Sequence, residues 1–98
     1  MGRAVERGKS MDYLLFSYPN CAKCDALKHR LGTVDFEGEE YDLTRKDSKM
    51  KIRDYLDVIN RDSTGGIVIP TLVLREETRV VGVLNSREEL DDWLRSKD

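Results

Sequence analysis

The sequence lacks a long hydrophobic run and contains few aromatic residues, which make up 7% of its 98 positions. No apolar stretch approaches the roughly 20 residues that a membrane-spanning helix needs. The first ten residues contain no hydrophobic stretch of the kind that defines a secretory signal peptide, so we expect a cytoplasmic protein without a membrane partner. Charged residues, at 37%, indicate a well-solvated small domain.

A strong excess of one charge is also missing. The formal net charge is −2; residues 1–10 hold three basic residues against one acidic residue, which leaves −4 for the remainder. A weakly acidic domain does not present the basic surface that nucleic acid requires, so we expect no such partner. We interpret residues 1–10 as a disordered tail or added leader and residues 11–98 as a single, monomeric domain.

Cysteine and histidine are scarce as well. Cys21 and Cys24 are the only cysteines, and His29 is the only histidine. A structural zinc ion takes four ligands, so a monomer would have to add carboxylates, and we expect no bound metal or cofactor. A purely structural disulfide between these cysteines is an alternative, but its short loop removes little chain entropy. In a cytoplasmic chain, the Cys-x-x-Cys spacing indicates thiol–disulfide redox chemistry.

The hydrophobic pattern predicts alternating strands and helices. We predict strands at 13–16, within 34–43, at 67–74 and at 78–83, and helices at 21–31, at 46–59 and from residue 86 onward. Asn20 is the expected cap of the first helix, and Ser86 with Glu89 forms a capping box on the last. Pro70 marks the entrance or edge of its strand. The order β-α-β-α-β-β-α predicts a four-stranded mixed sheet in a three-layer α/β/α arrangement.

The predicted chemistry depends on the position of Cys21 at the start of a helix. Unpaired N–H groups and the positive end of the helix dipole both favour the thiolate there. A cysteine in such a place has a pKa of roughly 3.5–7.5, against about 8.5 for a free thiol, and Lys23 adds a positive charge nearby. We expect Cys21 to attack a substrate disulfide and Cys24, one turn later, to resolve the mixed disulfide.

Three segments resemble the glutaredoxin branch of the thioredoxin fold. Residues 18–24, Tyr-Pro-Asn-Cys-Ala-Lys-Cys, are similar to the family's active-site turn, Lys-Pro-x-Cys-x-x-Cys. Residues 68–70, Val-Ile-Pro, resemble its Thr-Val-Pro segment, in which the proline is cis and faces the active cysteine. Residues 81–85 fall where the family has Gly-Gly-x-x-Asp. The resemblance spans roughly residues 11 to 97 and implies a thioredoxin-like fold with disulfide oxidoreductase activity.

The resemblance also implies a binding site for substrate or glutathione around the cysteines. Its residues would be Tyr18, Lys23, Ile69, Pro70, Leu84 and Asn85. The Ile69 backbone would pair with an extended substrate beside the proline. Tyr18 replaces a lysine that helps to bind glutathione, and Asn85 replaces an acidic residue that meets its α-amine, so charge assistance is lost. The expected partners are disulfide-containing proteins, with glutathione as possible co-substrate or a flavoprotein disulfide reductase as electron donor.

Two other functions stay open from the sequence. Some relatives of glutaredoxin share an iron–sulfur cluster between two chains with the help of glutathione, so a metal carrier is one alternative. The turn at residues 18–21 also resembles arsenate-reductase-like and regulator-like members of the same fold. The segment at residues 69–71 and the short chain fit the glutaredoxin branch better.

Overall fold

The computed structural model describes residues 11–97, so the predicted tail at residues 1–10 lies outside the described residues. Within them the predicted order β-α-β-α-β-β-α is confirmed. The elements are β1 (Met11–Ser17), α1 (Ala22–Leu31), β2 (Glu37–Asp42), α2 (Lys46–Ile52), a 3₁₀ turn (Arg53–Tyr55), β3 (Thr71–Glu76), β4 (Arg79–Leu84) and α3 (Arg87–Lys97). None of the helices in this part of the chain is long and apolar enough to cross a membrane.

The four strands form one mixed sheet in the order β2-β1-β3-β4. β1 pairs with β2 in parallel, and the β1–β3 and β3–β4 pairs are antiparallel. Phe16 near the end of β1 lies opposite Thr71 at the start of β3. The turn that follows β1 and the segment that precedes β3 therefore leave the sheet at the same end, which brings the cysteine turn and Pro70 to one side of the molecule.

Two hydrophobic clusters cover the two faces of the sheet, which confirms the three layers. Leu15 of β1 points into a cluster with the buried leucines of α1 and α3, and Trp93 packs against it. Leu14 and Phe16 point the opposite way, into a cluster that includes Ile52 at the end of α2. The alternation follows from the period of two in a strand. A continuous apolar run in β1 is thus buried on both sides.

The second helix is shorter than predicted. The α-helix ends at Ile52 and tightens into the 3₁₀ turn, so the prediction of a helix through Ile59 is wrong. Ile52 and Ile59 are buried, but Leu56 between them is 37% exposed, so they do not form one helical stripe. The chain turns because Ile59 enters the second cluster, while the Asn60 carbonyl next to it accepts a hydrogen bond from the Val68 N–H at 3.3 Å. Tertiary contacts override the local pattern here.

β2 lies within the predicted range 34–43, whereas the start of β3 and the hairpin turn differ from the prediction. β2 starts at residue 37, so Val34 and Phe36 lie before it and pack against the first cluster. β3 starts at Thr71, which confirms that Pro70 marks the entrance of the strand. The hairpin turn consists of Glu77 and Thr78 rather than residues 75–77, and both have a positive φ, 54° and 69°. This is the turn that matches the twist of a two-residue hairpin.

Candidate active site at the cysteine pair

Cys21 and Cys24 are joined as a disulfide, with their Cα atoms 5.2 Å apart. Cys21 itself caps α1, because its Sγ accepts a hydrogen bond from the Cys24 N–H at 3.1 Å. The prediction that Asn20 is the cap is therefore wrong. An N-cap residue takes an extended conformation, as Cys21 does, whereas Asn20 has a φ of 58° and forms the tight turn before it.

The two sulfurs differ in their access to solvent. Cys21 is half-buried, whereas Cys24 is only 1% exposed and lies on the inner face of α1. A substrate disulfide therefore reaches Cys21 first. In the disulfide form the Cys24 N–H donates a hydrogen bond to Cys21 Sγ. In the reduced form the same N–H is in place to stabilise a Cys21 thiolate, because hydrogen bonds to ionised acceptors are stronger than those to neutral ones. The order of nucleophile and resolving thiol stays a prediction, for which these two positions are suited.

Pro70 lies at the same end of the sheet as the cysteines. It is buried, and the Ile69–Pro70 peptide bond is cis, as the resemblance implies. The Ile69 side chain packs against the second cluster. Among residues 11–97, the Ile69 N–H and C=O make no backbone hydrogen bond. The backbone at Ile69 is thus available to pair with an extended chain.

The Asn85 side chain points into the protein instead of toward a ligand. Its Nδ2 donates to the Pro70 carbonyl at 2.9 Å, to the Val68 carbonyl at 3.3 Å and to Thr71 Oγ1 at 3.4 Å. Its Oδ1 accepts from Asn60 Nδ2 at 2.6 Å. Both ends of the amide are therefore occupied by contacts within the chain. We define the Pro70 segment as residues 68–71, all held around this side chain.

The other residues predicted from the resemblance occupy three different environments. Tyr18 is 45% exposed beside the cysteine turn, whereas Leu84 belongs to the buried first cluster and contributes packing. Lys23 is exposed and lines a cleft of about 340 Å³ between the starts of α1 and α3, together with Arg87. Glu88 lines the same cleft, so two cations and one carboxylate lie beside the two helix N-termini.

A polar chain of contacts ties the end of β1 to α1. The buried Ser17 hydroxyl donates to Glu40 Oε2 at 2.6 Å, and Lys28 Nζ of α1 lies 3.2 Å from the same oxygen. The hydrogen bond to Glu40 raises the pKa of Lys28. Glu40 of β2 thus contacts both β1 and α1. Elsewhere in residues 11–97 no group of three or more histidine, cysteine or acidic side chains is arranged to hold a metal ion.

Sequence reasoning missed two residues of the site, Asn60 and Thr71. Thr71 is completely buried, and its Oγ1 donates to the Val68 carbonyl at 2.5 Å. A threonine inside the otherwise apolar run at residues 67–74 was a usable signal, because a buried hydroxyl needs a partner. Asn60 has no comparable signal, since an asparagine after a helix is ordinary in a loop.

Comparison with known proteins supports the architecture. No protein-family model matches the chain, and no curated protein matches it. Solved structures do match: thioredoxin-2 of the malaria parasite (TM-score 0.60, 13% identity, 90% of this chain and 84% of that one) and thioredoxin f from spinach chloroplast (0.60, 18%, 93% and 76%). Thioredoxin f2 in complex with ferredoxin:thioredoxin reductase matches as well (0.60, 15%, 90% and 76%). With its mixed sheet, flanking helices and Cys-x-x-Cys turn, the chain has the thioredoxin-like fold.

Proposed function

We propose that the protein is a cytoplasmic thiol–disulfide oxidoreductase that reduces disulfides with Cys21 and Cys24. The observation that carries the proposal is the position of Cys21 as the cap of α1, with its sulfur on the Cys24 N–H and the second sulfur buried behind it. This arrangement favours a thiolate at the accessible position and keeps the resolving thiol within reach.

The reaction transfers two electrons from the dithiol to the substrate. The Cys21 thiolate attacks one sulfur of the substrate disulfide, and the other sulfur leaves as a thiolate that takes up a proton. The Cys24 thiol loses its proton and attacks Cys21 in the mixed disulfide, which releases the second substrate thiol. The enzyme ends with the Cys21–Cys24 disulfide, the state that the structure contains.

A protein disulfide is the substrate that the surroundings support best. The free Ile69 backbone suits an extended polypeptide, which would add to it as a short strand, with Tyr18 as an exposed aromatic contact beside it. Asn85 supplies no charge for the α-amine of glutathione, and its Oδ1 already accepts one hydrogen bond from Asn60. Lys23 and Arg87 offer two cations to a carboxylate, against the single charge of Glu88 in the same cleft, so a glutathione mixed disulfide is the second proposed substrate.

The electron donor follows from the same contacts. We favour a reductase protein, such as a flavoprotein disulfide reductase, over glutathione. One structural neighbour, thioredoxin f2, was solved in complex with ferredoxin:thioredoxin reductase, which supports a protein as the donor. Turnover by a thioredoxin-reductase system, with a redox potential near −270 mV, is the expected result. Robust turnover with glutathione and glutathione reductase, and a potential near −200 to −230 mV, would favour the glutaredoxin type instead.

Cysteine variants test the assigned roles. Cys21→Ser should abolish reduction of insulin disulfides, because serine forms no comparable nucleophile. Cys24→Ser should also stop reduction of protein disulfides while sparing reduction of glutathione mixed disulfides, which needs only the first thiol. The reverse pattern, activity in Cys21→Ser and its loss in Cys24→Ser with both substrates, would contradict the proposal.

A further inference from the structure

Asn85 lies where α3 approaches the Pro70 segment, and its amide nitrogen donates to three acceptors of that segment. Both Nδ2 protons point at the segment, with the Pro70 carbonyl at 2.9 Å as the best acceptor. Because carbonyl oxygens only accept hydrogen bonds, they require the nitrogen end of the amide on their side. Asn60 Nδ2 occupies the oxygen end at 2.6 Å, and the Asn85 N–H donates to Glu89 Oε1 at 2.7 Å. Side chain and backbone of Asn85 are both fixed.

These contacts set the direction of the peptide groups on either side of Ile69. The Val68 carbonyl accepts from both Asn85 and Thr71, and the Val68 N–H donates to the Asn60 carbonyl. In a trans peptide the C=O and the following N–H point in opposite directions. With the Val68 carbonyl turned toward Asn85, the Ile69 N–H must point away from it. The carbonyl of Pro70 is held in the same way on the far side.

We propose that Asn85 is a positioning residue that presents the Ile69 backbone to extended polypeptide disulfides and so sets a preference for them over small disulfides. The inference rests on the proposed oxidoreductase function. Asn85 neither touches Cys21 nor supplies a charge, so its effect passes through the Pro70 segment alone. Without the amide, the Pro70 carbonyl loses its donor and the Val68 carbonyl keeps only Thr71, so the peptide groups around Ile69 are held less firmly. A small disulfide, which has no backbone to pair with Ile69, does not sense that change.

Single-turnover kinetics of the pre-reduced protein test the inference without knowledge of the electron donor. The probes are insulin, which offers disulfides in a polypeptide, and hydroxyethyl disulfide, which offers none. We expect Asn85→Ala to slow the reduction of insulin roughly tenfold, the equivalent of about one hydrogen bond in the bound state. The rate with hydroxyethyl disulfide should stay within about twofold of the wild type. The rate of Cys21 alkylation should depend on pH as it does in the wild type.

Two further variants separate positioning from general damage. Asn60→Ala removes the partner of Asn85 Oδ1, but Asn85 Nδ2 still donates to the Pro70 segment. It should therefore slow insulin reduction less than Asn85→Ala does, and it should also leave the rate with hydroxyethyl disulfide unchanged. It also decides the question if Asn85→Ala does not fold. Asp91→Ala breaks the contacts of Asp91 with Arg30, near the end of α1, and with Arg87, and it leaves the Pro70 segment untouched, so it should lower stability without changing the ratio of the two rates.

The possible results test the positioning role of Asn85 separately from the proposed oxidoreductase function. Equal slowing of both substrates in Asn85→Ala, or no slowing of either, would overturn the positioning role while leaving the oxidoreductase function intact. A wild-type protein that reduces neither probe would overturn the proposed function itself. A selective loss with insulin in both asparagine variants, absent from Asp91→Ala, is the result that supports the inference.

Discussion

The ring of Tyr13 lies flat over Gly38, its partner on the neighbouring strand, and this pair gives a test of the sheet on which the site is built. A Cβ atom added at Gly38 would come within 2.6 Å of Tyr13 Cδ1 and closer still to Cγ and Cδ2. The three nearest atoms all belong to this one ring. Gly38→Ala should therefore act through Tyr13 alone, and its effect should depend on whether the ring is present.

The sign of the effect reverses between the two backgrounds. In the wild type, overpacking costs about 1–3 kcal/mol, and the removal of a flexible glycine from a strand returns about 0.5–1 kcal/mol. Gly38→Ala should thus lower the free energy of unfolding by about 0.5–2 kcal/mol. In a Tyr13→Ala background the clash is gone, and the same substitution should raise it by about 0.5–1 kcal/mol. The coupling energy between the two positions is then about 1–3 kcal/mol.

Urea unfolding of the oxidised protein, followed by circular dichroism, measures all four members of this cycle. A change of 1 kcal/mol corresponds to roughly 4–8 °C in Tm for a domain of this size, so thermal melts offer an independent reading. Gly32→Ala is the matched control. Gly32 has a φ of −66° and its added Cβ would meet the nearest atom at 3.4 Å, so alanine should stabilise by about 0.4–1 kcal/mol. Additive effects at Tyr13 and Gly38 would refute the proposed contact.

Three other predictions concern separate features. Replacing Glu77 and Thr78 by Asn-Gly should stabilise the protein by about 1 kcal/mol in urea unfolding, because both positions have a positive φ that glycine and asparagine tolerate best; a loss of stability would contradict the turn geometry. The hydrogen bond from Arg30 lowers the pKa of Asp91 in the folded protein. The stabilisation by this pair is therefore fully present above the pKa of Asp91 in the unfolded chain, and it is lost as the pH falls through the lower pKa of the folded protein. The acid limb of stability, below about pH 4, should therefore be shallower in Asp91→Asn, and an unchanged limb would count against the pair. Asp62 organises the loop after Asn60 by accepting three hydrogen bonds, so Asp62→Ala should speed proteolytic cleavage within residues 62–66 while catalysis of small disulfides is unchanged; protection equal to the wild type would argue against this role.

Much of the fold was predictable because local patterns and tertiary packing agree. The apolar run at Leu14 and Phe16, the stop at Gly32 and the proline before β3 each determine their own local structure. Ser86 caps α3 as predicted, because its Oγ accepts from the Glu89 N–H at 3.1 Å, but the Glu89 carboxylate accepts from the Asn85 N–H and not from that of Ser86. The boundary of α2 failed because a helical spacing of apolar residues does not reveal that the chain must turn toward the Pro70 segment.

The candidate site also has residues whose contacts the sequence predicts and residues whose contacts it does not predict. The roles proposed for Cys21 and Cys24 rest on neighbours in sequence, since an N-terminal helix position defines which N–H the sulfur meets. The role of Asn85 does not, because a polar side chain beside a site faces either a ligand or the segments that shape the site. The choice depends on partners distant in sequence, Asn60 and the Pro70 segment, that only the folded chain brings together.

Asn85 stands where the glutaredoxin resemblance implies an acidic residue, and this replacement changes more than a contact with glutathione. A carboxylate at this position has no proton to donate, so it would face the Val68 and Pro70 carbonyls as one acceptor against two. The amide resolves that conflict, because its nitrogen supplies two donors toward the segment and its oxygen accepts from Asn60. Asparagine is thus the side chain that this arrangement of carbonyls requires. Under the proposal, this one substitution removes a charged contact for glutathione and fixes the backbone at Ile69, and we expect both effects to favour a polypeptide disulfide over glutathione.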